Sequence, residues 1–205
     1  MSVFTDKVAS QCRTELARFN NGEGTETEDP FFKFVGEYWS FGLDGRTTFQ
    51  DSRGRPFRPA WSAAFISFIM RKAGAGDEFF YSEAHIHYAV KAIRDAQNGV
   101  PAKFLGRDPT IQKPKVGDII NAGRGDSAGV TFATVLRKYG KDPVPNGNFL
   151  ASHSDIVVSI DAANKKLKTV GGNVGDSVSE KTWTLKADGT LSKGPTLICV
   201  IETLL

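Results

Sequence analysis

The chain is poor in cysteine and histidine, with two of the first and three of the second in 205 residues. Cys12 and Cys199 can form at most one disulfide and stand in no metal-ligand or redox spacing, so both read as buried core residues. No apolar run approaches the roughly 18 residues of a membrane span. The opening MSVFTDKVASQCR lacks the basic-then-apolar order of a secretory signal, so the expectation is a protein made in the cytoplasm that does not export itself by the general route. A net charge of +3 is too small to argue for nucleic acid, although mild basicity suits an anionic polymer. Internal repeats and low-complexity tracts are absent. The glycine-rich run Gly171-Gly172-Asn173-Val174-Gly175 lacks the Lys-Ser/Thr ending of a phosphate loop. Nothing in the pattern calls for a metal or a cofactor.

What is present fits one ordinary core: 40% of the residues are apolar, and the length is short for two domains. Phe4, Val8, Cys12, Leu16 and Phe19 recur at helical spacing over residues 3–19. Asp29 and Pro30 predict the cap and first residue of a second helix running to Trp39. Residues 41–58 read as an irregular connection. Pro59 suits a first helical position and Gly74 a C-cap, and Trp61, Phe65, Phe68 and Ile69 lie between them at helical spacing, which predicts a buried helix. Ser82 is placed to cap a further helix over 83–97. Stretches near 117–121, 154–160, 166–171, 179–185 and 196–203 are rich in β-branched residues between turn residues and predict an antiparallel sheet. Helices first and strands last make the class α+β. Residues 123–152 form a long insertion, a lid or a cover for an edge strand, with an amphipathic stretch at 130–139 and a Pro-Gly-Asn loop at 143–148. Within it, Arg124-Gly125-Asp126 reads as part of a turn.

The residue with most chemical interest is Ser62, in the first turn of the buried helix. A side chain there sits at the positive end of the helix dipole, beside backbone N–H groups that have no intrahelical partner and could hold an oxyanion. A serine hydroxyl needs a base, and His85, His87 and His153 are the histidines available. His85 shares a helix face with Tyr88, so it either lines a cleft or is a hydrogen-bonded, half-buried histidine; His87 points elsewhere. Taken alone, a serine in Trp-Ser-Ala-Ala is more often structural, a small residue chosen for tight packing.

Four elements in order allow a comparison. Trp61-Ser62-Ala63-Ala64-Phe65-Ile66, Pro114-Lys115-Val116-Gly117-Asp118-Ile119, His153-Ser154-Asp155-Ile156-Val157-Val158 and Gly171-Gly172-Asn173 with Val178 resemble the successive motifs of the CHAP and NlpC-type amidohydrolases, with Ser62 where those families carry cysteine. The resemblance implies a papain-like fold with N-terminal helices packed on a C-terminal antiparallel sheet, a helical extension at 1–54 and a catalytic core at 55–205. It assigns His153 as base and Asn173 as the residue orienting it. Asp155 is the local competitor, on the same strand face as His153, with its carboxylate expected to be too displaced to reach the ring. Trp61, His85 and Tyr88 are the substrate-binding candidates. The implied activity is cofactor-free hydrolysis of amide bonds in bacterial peptidoglycan. Delivery would be by phage lysis or by a secretion system injecting an antibacterial effector, with an immunity protein as a further partner and the periplasm or cell wall as the place of action. The alternatives are a non-catalytic cell-wall or protein binding module on a degenerate papain-like fold, and a serine esterase or acyltransferase.

Overall fold

The computed structural model describes residues 2–43, 45, 49–50, 56–57, 59–141 and 150–205. Helix α1 (Val3–Arg18) starts at a capping box, the Ser2 hydroxyl accepting the Thr5 backbone N–H at 3.2 Å, and buries Val8 and Cys12. Helix α2 (Phe31–Leu43) follows Pro30 and runs four residues beyond its expected end. A two-residue ribbon of β1 (Phe49–Gln50) and β2 (Pro56–Phe57) precedes helix α3 (Ser62–Ala73). Helix α4 (His85–Gln97) comes next, then β3 (Phe104–Arg107), β4 (Ile119–Gly123), helix α5 (Phe132–Tyr139), β5 (Ser152–Asp161), β6 (Lys166–Gly171), β7 (Ser179–Thr184) and β8 (Leu197–Thr203).

The class is α+β, as expected. Among the described residues are five α-helices and one six-stranded sheet in the order β3-β8-β4-β5-β6-β7, every pairing antiparallel. Each predicted strand is present within two residues of its expected ends. The sequence reading missed β3, because Phe-Leu-Gly-Arg has no β-branched residue and is held as an edge strand only by its pairing with β8.

Strand alternation divides the apolar residues between two layers. Ile119, Ile156, Val158, Val170, Ile198 and Ile201 join the helices in the main core. Ile120, Val157, Leu167, Trp183, Leu197 and Val200 form a second cluster on the other face, closed by Leu185 and Leu191. Residues 1–54 were expected to be an extension, but Val8, Cys12, Val35, Tyr38 and Trp39 belong to the same core as α3, so α1 and α2 are integral to it. Helix α3 lies over β5 and β6 with α1 and α2 against it. It is buried along almost its whole length and ends at Gly74, which takes the left-handed φ of 94°.

Two local readings shift. Helix α3 begins at Ser62, three residues after Pro59, and helix α4 begins at His85 because the Ser82 hydroxyl bonds Ala84 N–H at 3.1 Å ahead of the helix rather than capping it. In the insertion, the expected turn is a single 3₁₀ turn at Gly125–Ser127, and the amphipathic stretch is α5, capped by Thr131. The loop at 143–148 and most of 41–58 lie outside the described residues. No helix among the described residues is long and apolar enough to cross a membrane.

The Gly117-Asp118 pair has a structural task. Asp118 is buried, and its two carboxylate oxygens accept Lys115 N–H at 2.8 Å and Thr203 N–H at 2.9 Å, tying the turn before β4 to the end of β8. Burial pushes its carboxyl up to about 7, against the pull of those two donors. Asp118→Ala strands both N–H groups and is expected to destabilise the fold by about 2–4 kcal/mol in urea denaturation, with Asp118→Asn costing less because one acceptor oxygen survives. Cys12 and Cys199 are free and fully buried, and burial raises both thiols well above their ordinary value, which makes them poor nucleophiles. Cys12→Ala should lower stability by about 1–3 kcal/mol while leaving the geometry around Ser62 unchanged, as read by denaturation and by the chemical shifts of the site histidines.

Candidate functional site

Two helix starts meet at the end of the sheet. Ser62 is the first residue of α3 and His85 the first of α4, and Ser62 Oγ lies 2.6 Å from His85 Nε2. Both are buried, at 5% and 6% exposure. The start of α3 carries no side-chain cap, so its first-turn N–H groups are left for another acceptor. Its position is set from two sides. Trp61 is wholly buried, stacked on Phe19 at 5.8 Å and tilted against Tyr38 at 5.6 Å, with its indole N–H donated to Glu26. From the sheet side, the chain leaving β6 presses so closely that a Cβ on Gly172 would sit 2.6 Å from Phe65 and 2.7 Å from Trp61.

Behind Ser62 a buried polar chain runs from the helices into the sheet. His85 Nδ1 pairs with the Tyr88 hydroxyl one helical turn on. Ser154 of β5 neighbours the Tyr88 hydroxyl and opposes the effect of burial on it, and Asn121 Nδ2 of β4 donates to Ser154 Oγ at 2.7 Å. The direction of these bonds can be worked out. A buried phenol proton needs an acceptor, and among the described residues the Tyr88 hydroxyl has one at hydrogen-bond distance, His85 Nδ1. Tyr88, which burial keeps protonated, then donates to His85 Nδ1. That leaves the His85 proton on Nε2, donated to Ser62 Oγ, with the Ser62 hydroxyl proton free for another acceptor. The opposite direction would leave a buried hydroxyl proton unpaired, at a cost of about 1–3 kcal/mol.

His85 stays neutral. Burial pulls its pKa well below the usual value, and the neighbouring His153 and Arg124 pull in the same direction. Its place at a helix N-terminus also disfavours an imidazolium.

His153 is not hydrogen-bonded to Ser62. Alternation along β5 directs Ser154, Ile156 and Val158 to the helices and sends His153, Asp155 and Val157 the other way. The ring nevertheless reaches the site at the end of the strand, 5.1 Å from the His85 ring. His153 Nε2 donates to Asp155 Oδ1 at 2.9 Å, whereas Nδ1 is buried with no hydrogen-bond partner. The expected orienting residue, Asn173, does not take that place. Strand β6 ends at Gly171, and Asn173, two residues on at a φ of 57°, makes no hydrogen bond to His153. Asp155 fills the space instead: a Cβ on Gly171 would lie 2.0 Å from its Oδ1 and 3.1 Å from His153 Nε2, so only glycine leaves room for the pair.

Two cavities open here. One, of about 200 Å³, is lined by Ser62, His85 and Glu83 together with Leu150, Ala151 and Ser152 from the end of the insertion. The other, of about 280 Å³, is lined by His153, Asp155, Asn173, Lys181 and Trp183. Arg124 lines both. The insertion therefore flanks the cleft, as expected of residues 123–152.

Of the three residues expected to touch substrate, Trp61 and Tyr88 are placed otherwise. Trp61 is a packing residue under the start of α3, and Tyr88, at 2% exposure, faces His85. His85 is buried against Ser62 and so belongs beside the nucleophile candidate, a placement that its spacing to Tyr88 hinted at without revealing its second partner. His87 is half-buried with Nδ1 3.0 Å from the Ser82 hydroxyl, away from this chain of bonds. The sequence reading missed Ser154, Asn121 and Arg124. Among the described residues, no three of His, Cys, Asp and Glu come together as a metal-binding group.

Comparison with known proteins adds a family and nothing narrower. No curated protein and no solved structure matches the chain. Residues 26–200, which include every site residue above, match the family described as "Uncharacterized protein conserved in bacteria (DUF2272)", and the chain belongs to that family.

Proposed function

We propose that this protein is a hydrolase of amide bonds in bacterial cell-wall peptides, built on a papain-like scaffold, with Ser62 as nucleophile. The observation that carries the reading is the 2.6 Å contact between Ser62 Oγ and His85 Nε2 at an uncapped helix start, with the His153–Asp155 pair against the same imidazole.

The two histidines divide the work by charge. A base must hold a positive charge once it has taken the hydroxyl proton. His85 is fully buried, has no carboxylate partner among the described residues and already carries its proton on Nε2, so it positions Ser62 Oγ as a donor. His153 has Asp155 to balance an imidazolium and an unpartnered Nδ1 to receive the proton, directly or across one water as substrate settles. Attack of Ser62 Oγ on the carbonyl carbon sends that proton to His153, and the first-turn N–H groups of α3 hold the oxyanion. His153 then returns the proton to the leaving amine as the C–N bond breaks. Water, deprotonated by the same histidine, releases the acyl group from Ser62.

The test is fragment release from purified peptidoglycan sacculi, followed by chromatography and mass spectrometry. Ser62→Ala and His153→Ala should each lower release by at least ~10³-fold. His85→Ala should cost about 10²-fold and His85→Gln, whose amide can still donate to Ser62, should recover to within about tenfold of wild type. A dead His85→Gln beside an active His153→Gln would exchange the roles of the two histidines. Ser62→Cys should retain or raise activity, because a thiolate is the better nucleophile. If every variant binds sacculi as wild type does and none releases fragments or cleaves ester substrates, the protein is a binding module.

The depressed pKa of His85 gives a separate expectation. In the unfolded chain His85 takes a proton below about pH 6.5, whereas in the folded chain it stays neutral. The unfolded state then binds more protons, so stability falls as pH drops through that value. Melting temperature measured from pH 7.5 to 5 should fall more steeply for wild type than for His85→Gln; parallel curves would show that His85 does not remain neutral in the fold.

A further inference from the structure

Arg124 is the charged side chain common to the two cavities, and its guanidinium has no carboxylate partner among the described residues. Its backbone is fixed: Arg124 N–H donates to Ala151 O at 2.8 Å, and its carbonyl accepts Ser127 N–H at 2.9 Å. Across the larger cavity, Lys181 Nζ stands 4.0 Å from the centre of the Trp183 ring, and that ring is held in place by an indole N–H donated to Thr169 Oγ1 at 2.9 Å. The one carboxylate in the cavity wall, Asp155, is already engaged by His153. The other acidic side chain lining either cavity, Glu83, is on the Ser62 side. The cleft is thus polarised, with cations and an aromatic face at the His153 end and a carboxylate at the Ser62 end.

We propose that the cavity of about 280 Å³ is a subsite for a free carboxylate, so that the ligand of this cleft is a peptide carrying an acidic group next to the bond presented to Ser62, with Arg124 as the residue that selects it. Its position relative to a scissile bond rests on the hydrolase reading; the preference for an acidic ligand does not. An exposed guanidinium with no carboxylate partner among the described residues, carried on a fixed turn, offers the forked donor geometry that a carboxylate fills, and Lys181 adds a second positive charge to the lining of the same cavity.

The experiment uses the full chain carrying Ser62→Ala, so that binding is measured without turnover. The probes are N-acetyl-alanyl-glutamate and its uncharged counterpart, N-acetyl-alanyl-glutamine amide, followed by calorimetry and by the NMR signal of the Trp183 indole N–H. The acidic peptide should bind at least ~10-fold more tightly than the amide and shift the Trp183 signal, and this preference should weaken with added salt. Adding Arg124→Ala should remove the preference, and Arg124→Lys should keep part of it. Adding Lys181→Ala should reduce it about two- to threefold. Equal binding of the two probes, or a preference that survives Arg124→Ala, overturns the subsite. Acid preference together with no fragment release by the wild-type chain would leave the subsite standing and sink the hydrolase; fragment release with no acid preference would do the reverse.

Discussion

The site depends on one constraint: five polar side chains, Ser62, His85, Tyr88, Ser154 and Asn121, are taken out of water together, with hydrogen bonds joining Ser62 to His85, His85 to Tyr88 and Asn121 to Ser154. Each is at most 6% exposed, and an unpaired member would cost on the order of 1–3 kcal/mol. The Ser62–His85 bond ties the start of α3 to the start of α4, and the Asn121–Ser154 bond ties β4 to β5 on the sheet side. The bonds also carry direction. The Tyr88 phenol keeps its proton and finds its acceptor in His85 Nδ1, which decides which nitrogen of His85 bears the ring proton.

The two consecutive glycines at the end of β6 do for the other half of the site what the polar chain does for the first. Gly172 lets Phe65 and Trp61 come within a distance that no side chain would allow, which brings the start of α3 down onto the sheet. Gly171 leaves empty the place beside His153 Nε2 that a neighbouring strand's side chain would occupy, and Asp155 moves into it. A carboxylate two residues along the same strand was expected to be too displaced to reach the ring. The two side chains lean toward each other across the gap, and 2.9 Å is the result.

Much of this architecture was legible in the residues. Periodicity located α1 and α3, turn residues bounded five of the six strands of the large sheet, and the burial of Cys12 and Cys199 followed from their lack of any ligand spacing. The motifs around Ser62 and His153 picked out residues that do converge on one region. Their pairing was not legible, since it turns on quantities a linear pattern does not carry. Strand parity puts Ser154, not His153, on the helix side of β5. Strand β6 ends at Gly171, two residues before Asn173, which itself takes the left-handed conformation, and His153 pairs with Asp155 instead. His85 could be matched to Tyr88 by helical spacing, but its contact with Ser62 joins residues from two helices and appears only once both are packed. Residues 1–54 looked like an addition because the sequence resemblance begins after them, yet Cys12 and Tyr38 lie at 0% exposure in the common core.

The electrostatics of the site follow from how few charges it can hold. Two imidazoles with ring centres 5.1 Å apart cannot both be cationic in a buried setting, because each would add to the other's desolvation cost. The one without a counter-charge gives way: His85, facing a phenol and lying near Arg124, is driven neutral. The proton can then reside only on the ring that Asp155 holds, so a positive charge formed during a reaction has one place to go. Arg124 sharpens this division from outside. Its charge lowers the proton affinity of His85, and a ligand carboxylate seated on Arg124 would weaken that effect. Occupation of the carboxylate subsite and the protonation balance of the two histidines are therefore linked, so an acidic ligand acts on the site's charge as well as on its own position.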